Sequence, residues 1–420
     1  MKVHADPTKE FFMTMLTRDI SLTSAILDLV DNSVDAAKRE SALDQIHISL
    51  SLNEMEFKIT DNCGGMEKKI AENYAFRFGR DPSAPSTANS VGRFGVGMKR
   101  AFFKLGNTIN LKSKCNDDSF EIDIDANEWK QTQEWEFDLE DKNVGLKADG
   151  TSILVTSLHE TVSLDFGDSS YIDELIEFIA DAHHKAISDG ITITVNGKVV
   201  PDRDLEFKQS DELGVIGIEK NIHGVDVKII SGVGERDLKA GGWSIFCNNR
   251  LIEGANKSQT TGWGTQGLRA YHPDMAFFRG IVEFNSENGE LLPWNTTKNG
   301  IDTDNPIYKS VLIEMIRQTK IIAKFLTDRA KEKEAFDRET IEAKPINDSI
   351  ENAPKLSAFT ANYTSHFIRV EAEALPKNNN KRISYNVNKS QLEIAKDLIS
   401  VSTAAEVGRY TFDYFMENES

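Results

Sequence analysis

Two periods of apolar and polar residues alternate along this chain, and the switches between them predict its elements. "QIHISLSL" and "MEFKITD" alternate every second residue around the dipeptide "NE", which predicts an antiparallel hairpin. "NTINLKSK", "SFEIDIDA", "EWEFDLE" and "GTSILVTSL" continue the strand pattern, and "YIDELIEFIADAHHKAIS" changes to a helical period. A second strand-rich unit runs from "GITITVNGKVV" through "GVDVKIISG", "GWSIFCNNRLIEG" and "FRGIVEFNS" to "LLPWNTTKNGID". "NPIYKSVLIEMIRQTKIIAKFLTDRAKEKEAFDRETIEAK" predicts one long amphipathic helix. The expected divisions are 1–165, 166–304 with the "YIDEL" helix included, 305–345 for the long helix, and 346–420. In the last region, "PKNNNK" reads as a polar linker from Pro376 to Lys381, followed by a short strand and two helices over 381–418. That strand sets Ile383, Tyr385 and Val387 on one face and Arg382, Ser384 and Asn386 on the other, an order similar to a ribbon-helix-helix unit.

The helical stretch "ILDLVDNSVDAAKRE" departs from an ordinary buried helix. At about 100° per residue, Asp28, Asp31, Asn32 and Asp35 fall within one arc of roughly 100°, while Ile26, Leu27, Leu29, Val30, Val34 and Ala37 cover the rest. A mostly buried helix thus aims three carboxylates and an amide at one place.

Composition changes the picture only a little. The 420 residues suffice for two to four domains, and the formal charge of -18 opposes nonspecific adhesion to nucleic acid while leaving a local basic patch open. Much of the acid excess lies in "CNDDSFEIDIDANEWKQTQEWEFDLEDK", read as a solvated strand pair. Cys63, Cys115 and Cys247 are too scattered for a metal cluster or a disulfide framework and fit reduced thiols. His183 and His184 point about 100° apart on a helix, which argues against a shared metal and for a surface or capping role. With no long apolar run and no leader-like start in "MKVHADPTKEFFMTM", a cytoplasmic protein is expected.

Two glycine-bearing loops accompany the acid strip. "ITDNCGGM" ends a strand on Asp61 and turns on Gly64 and Gly65, and "GRFGVGMKRAFFKLG" places Gly92, Gly95 and Gly97 before a helix, where free backbone N–H groups suit an anion. The long Gly-, Pro- and Ser-rich loop "RFGRDPSAPSTANSVGRFGVG" reads as a lid. No strong strand precedes the glycines, so a Rossmann site fails, and no Gly-Lys-Ser/Thr follows, so a Walker loop fails.

Taken in order, "DLVDNSVDAA", "DNCGGM", "GRFGVG" and "GTSILV" resemble the four ATP-binding boxes of the GHKL superfamily, which includes gyrase B, the ninety-kilodalton heat-shock chaperones, histidine kinases, MutL and MORC proteins. The resemblance covers about the first 160 residues. It implies an α+β chain: a Bergerat-type ATP-binding α/β sandwich, then a ribosomal-S5-like transducer domain and a helical C-terminal region. Histidine kinases themselves fit poorly, since only about twenty residues precede the first box.

Carried onto this sequence, the resemblance makes Asn32 the Mg²⁺ ligand, in keeping with a hard cation's preference for oxygen. Asp61 becomes the acceptor of the adenine amine, Gly65 the point of close approach to the base, Met66 a packing surface, and Thr151 a hydroxyl supporting Asp61. Gly92, Arg93, Phe94, Gly95, Val96 and Gly97 match the hinge of the lid over the phosphates, and Lys99 either adds charge there or is a solvated helix residue. Asp31 and Asp35 are left to tune charge or hold the lid.

Two departures stand out. Asp28 occupies the place of the usual glutamate general base, one methylene shorter, and Cys63 replaces the first glycine of "DxGxG", where a small residue fits if the turn is not left-handed. In the second unit, "PWNTTKNGID" resembles the transducer loop whose lysine meets the γ-phosphate, which makes Lys298 the candidate sensor beside the plainer reading of a turn lysine. "FCNNRLIEG" resembles the MORC-type transducer strand. The implied activity is slow, Mg²⁺-dependent ATP hydrolysis with ATP-gated homodimerisation of a clamp on DNA. The alternatives are a chaperone-like or signalling switch, or a defence-system subunit, that remodels a protein partner.

Overall fold

The computed structural model describes residues 7–40, 42–79, 89–92, 95–203, 205–295, 297–358, 361–373 and 383–419. Helices Lys9–Arg18 (α1) and Leu22–Ala37 (α2) precede the hairpin His47–Asn53 (β1) and Glu56–Asp61 (β2). A single turn, Lys68–Ile70 (α3), is followed by Gly97–Leu105 (α4), Gly106–Cys115 (β3), Asp118–Asp125 (β4), Ala126–Trp129 (α5), Leu139–Asp141 (β5) and Gly150–Leu158 (β6). Helices Glu160–Gly167 (α6) and Ser169–Ser188 (α7) lead into Thr192–Val195 (β7) and Lys198–Val199 (β8).

These strands form one sheet in the order β5-β4-β3-β6-β2-β1-β7-β8, antiparallel except for the parallel pair β1 and β7. The alternation in β1 works as the sequence predicts: Ile48, Leu50 and Leu52 point into the core, and His47, Ser49 and Ser51 face out. On the covered face, Ile26, Leu29 and Val30 of α2 and Ala101, Phe102 and Leu105 of α4 share that core. Leu175, Ile176 and Ile179 of α7 belong to it as well, and β7 extends the first sheet. Helix α7 nonetheless touches both units, since the ring of its His184 lies 4.8 Å from that of Phe246 in the second. The strand expected over "EWEFDLE" shrinks to Leu139–Asp141, because Trp135 and Phe137 fold onto Trp129, with ring centroids 5.5 and 5.2 Å away.

The second unit holds Glu206–Lys208 (β9), Ile216–Ile222 (β10), Val225–Val233 (β11), Gly242–Cys247 (β12), Arg250–Asn256 (β13), Phe278–Asn285 (β14) and Lys355–Ser357 (β15). Its order is β13-β12-β14-β11-β9-β15, with β10 on β11. The long helix runs Pro306–Asp337 (α8), opened by Asn305, whose side chain accepts from the N–H groups of Ile307 and Tyr308. It stops short of 345 because Pro345 starts a new helix, Pro345–Asn352 (α9), whose first N–H groups are accepted by Glu332. Val311, Met315 and Ile322 of α8 pack with Ile229 and Trp243 of the sheet.

Two helices, Lys389–Ile399 (α10) and Ala404–Glu419 (α11), make the tail. Among the described residues no strand forms here: 383–388 are irregular, and Ile383, Tyr385 and Val387 are exposed, since alternation alone gives no strand without a neighbour to pair with. The linker Pro376–Lys381 and Arg382 lie outside the described residues. No helix among the described residues is long and apolar enough to cross a membrane.

Candidate functional site

Helix α2 is the spine of the site. Ser21 caps it, with Oγ accepting from the Ser24 N–H at 3.1 Å, and the acid strip of the sequence resolves into four separate environments. Asp28, Asp31 and Asp35 are buried, and Asn32 is exposed.

Asp28 and Asp31 face a set of cations. Arg100 of α4 donates to Asp28 Oδ2 through Nε at 3.1 Å and Nη2 at 2.5 Å. Lys298, from the loop after β14, donates to Asp28 Oδ1 at 3.0 Å and to Asp31 Oδ2 at 2.7 Å. Arg250, at the start of β13, donates from Nε to Asp31 Oδ1 at 2.8 Å. Burial opposes ionisation of Asp31, but the charges of Lys298 and Arg250 overcome it and hold the carboxyl well below the usual range. Burial likewise works against the Lys298 ammonium, and Asp31 and Asp28 outweigh it and raise its pKa. His183 sits at a kink in α7, its Nε2 3.2 Å from Asp31 Oδ1 but not aligned for a hydrogen bond, and burial lowers its pKa so that it stays neutral. Among the described residues, two buried carboxylates thus meet three buried cations, a surplus of one positive charge.

Asp35 holds the exit of the glycine-rich loop. Its carboxylate accepts from the N–H of Val91 at 2.8 Å, the N–H of Gly92 at 2.7 Å and the Ser90 hydroxyl at 2.9 Å, while Lys38 pairs with it at 2.9 Å. Gly92 has to be small: a Cβ there would lie 3.0 Å from Asn32 Oδ1. The Val91 side chain packs into the second unit's core, and Asn248, at the tip of the β12–β13 hairpin, donates to the Ser90 carbonyl at 3.2 Å. Arg93 and Phe94 lie outside the described residues. Gly95 has φ 65°, and Val96 precedes Gly97 at the start of α4, whose first turn has no side-chain cap.

Asp61, at the end of β2, is buried by the strands around it. Its Oδ2 accepts from the Ser33 hydroxyl at 2.7 Å, and Oδ1 from the N–H groups of Cys63 at 3.0 Å and Thr151 at 3.2 Å. Burial raises its pKa, and these donors oppose the rise. Thr151 therefore reaches Asp61 directly through its backbone N–H. Gly65, with φ 67°, is required by protein packing, since a Cβ would sit 1.9 Å from the Lys114 carbonyl oxygen. Met66 is half-buried against the core and is fixed by its N–H to Ser113 Oγ at 2.8 Å. Cys63 is fully buried, does not adopt a left-handed backbone, and has its thiol pKa pushed up by burial, which makes it inert.

Lys99 fits neither expected role. It is buried, donates to the Ala75 carbonyl at 2.8 Å, and desolvation lowers its pKa to about 7. His183 and His184 are also buried instead of superficial, the first against Asp31 and the second with its ring 4.8 Å from that of Phe246. The sequence reading missed Ser33, Arg100, Asn248 and Arg250 as site residues. All four lie inside stretches that stand out in the sequence, Ser33 in "DLVDNSVDAA", Arg100 in "GRFGVGMKRAFFKLG", and Asn248 and Arg250 in "NNRLI", but nothing local names their partners.

One candidate oxygen donor for a hard cation stands at the site. Among the described residues no group of three His, Cys, Asp or Glu could cage a metal, whereas Asn32 presents one exposed amide oxygen beside Gly92. Mg²⁺ takes few protein ligands and completes its shell with phosphate oxygens and water. No curated protein matches the chain. Residues 20–153 match the family described as histidine kinase-, DNA gyrase B- and HSP90-like ATPase, which supports the GHKL superfamily for this segment and ATP binding as its general property.

Proposed function

We propose that this chain is a slow, Mg²⁺-dependent ATPase whose nucleotide state drives a homodimeric clamp acting on DNA or a DNA-bound assembly. The observation that carries this reading is Lys298, a second-unit residue seated on Asp28 and Asp31 of the first. In this reading Asp61 accepts from the adenine amine, and Asn32 holds Mg²⁺, which neutralises charge on the phosphates. Lys298 trades its carboxylates for the γ-phosphate and so reports nucleotide to the second sheet. Asp28, relieved of Lys298, takes the proton of the attacking water. The Asn248-Asn249-Arg250 hairpin and the Lys298 loop support the MORC-like, transducer-type reading of the second unit.

The tail favours a second reading, a protein client. Over 381–418, Lys381, Arg382, Lys389, Lys396 and Arg409 are balanced by Glu393, Asp397, Glu406, Asp413 and Glu417, so the unit carries no basic excess for phosphate contact. Ile394, Leu398, Tyr410, Tyr414 and Phe415 are exposed, as suits an apolar partner.

Sedimentation of the wild type and Asn32→Ala with ATP, a nonhydrolysable analogue and ADP tests the mechanism. ATP and the analogue are expected to dimerise the wild type alone; a monomer with the analogue would refute the gated clamp. DNA binding that weakens steeply with salt supports the DNA reading, and dimerisation without DNA retention supports the client reading.

A further inference from the structure

The unusual aspartate at 28 and an arginine that the sequence reading passed over meet in one geometry. Arg100 grips a single oxygen of Asp28 with two of its nitrogens, at 3.1 and 2.5 Å, and both side chains are buried. Among the described residues, the opposite oxygen accepts from Lys298, at 3.0 Å. The backbone of α4 also presses on the carboxylate: a Cβ at Gly97 would lie 3.1 Å from Asp28 Cγ. The room that the extra methylene of a glutamate needs is therefore taken by α4 and the guanidinium. A planar guanidinium fixes a carboxylate in angle as well as position, which a lysine does not do.

We propose that Arg100 is the positioning residue of the hydrolytic step, and that the Asp28–Arg100 pair does together what a lone glutamate does elsewhere. This rests on the ATPase reading above. Arg100 keeps hold of Oδ2 throughout, while Lys298 leaves Oδ1 for the γ-phosphate, so that Oδ1 alone is presented to water. The water oxygen then bonds to the γ-phosphorus, the bond from that phosphorus to the β,γ-bridging oxygen breaks with its electron pair going to ADP, and the water proton passes to Asp28 Oδ1. Arg100 touches neither nucleotide nor water and acts only through the carboxylate it orients.

Steady-state kinetics of Arg100→Ala, Arg100→Lys and the double variant Asp28→Glu/Arg100→Ala test the assignment. Arg100→Ala is expected to lose about a hundredfold or more in kcat with KM little changed, and millimolar guanidinium should restore part of the loss. Arg100→Lys keeps the charge and the fold but only one donor at a time, so it should fall between. Asp28→Glu alone is expected to be impaired by crowding against α4, and Asp28→Glu/Arg100→Ala should turn over faster than either single variant. Wild-type kcat in Arg100→Ala, or a loss confined to KM, overturns the positioning role. Absence of turnover in the wild type overturns the ATPase reading itself, and with it any base for Arg100 to orient.

Discussion

Asp31 shows how strongly single residues are committed here. It is 1% exposed, and Lys298 and Arg250 are what make its charge tolerable. Removing one partner leaves a buried charge uncompensated, so Lys298→Ala is expected to cost about 3–5 kcal/mol in urea unfolding. In an Asp31→Asn background the same substitution should cost clearly less; an equal cost in both would show that the pair does not carry the effect. Asp28, Asn32 and Asp61 were legible in the sequence because each sits in a short motif with a local spacing. Arg100 and Arg250 were not, because their carboxylate partners lie 72 and 219 positions away, and nothing short of the fold brings them together. The same holds for Ser33, whose bond to Asp61 joins the helix to the strand end.

At the scale of elements, the α4 N-terminus and the segment before the lid are tied by Lys99 and the Ala75 carbonyl. The folded pKa of Lys99, about 7, lies below its unfolded value of 10.5. Between those two the unfolded chain binds more protons, so stability rises with pH from about 7 towards 10.5 and is flat in this respect below 7. Lys99→Met should remove that rise, a difference on the order of 2 to 4 kcal/mol between pH 7 and pH 9.5 in denaturant unfolding. Parallel pH curves for the two proteins would contradict it. Most strands were readable because period-two alternation reports a sheet with one wet face, as in β1. The same alternation misled at Trp135, where aromatic rings found each other, and at Ile383 to Val387, where no strand stands alongside. The apolar stripe of α7 likewise says that it packs, and not that it faces both units.

On the scale of the whole molecule, every candidate site residue named above lies between Asp28 and Lys298. A chain ending at Glu373 is therefore expected to bind ATP with the affinity of the full chain in calorimetric titration, whatever becomes of clamp closure. A weakened affinity would place part of the nucleotide site in the tail.

Val91 gives the lid a mechanical rating. Its backbone is bonded to Asp35 of the first unit while its side chain is sunk in the second unit's core. It is a rivet through two plates, and the load it bears is bounded by the burial of one valine, about 1.5–3 kcal/mol. A nucleotide that tugs on the loop more gently than this drags the second sheet along. One that tugs harder pulls the valine out, and the second sheet then feels only what Asn248, Arg250 and Lys298 still carry across, so the rivet is also a fuse on one of several ties.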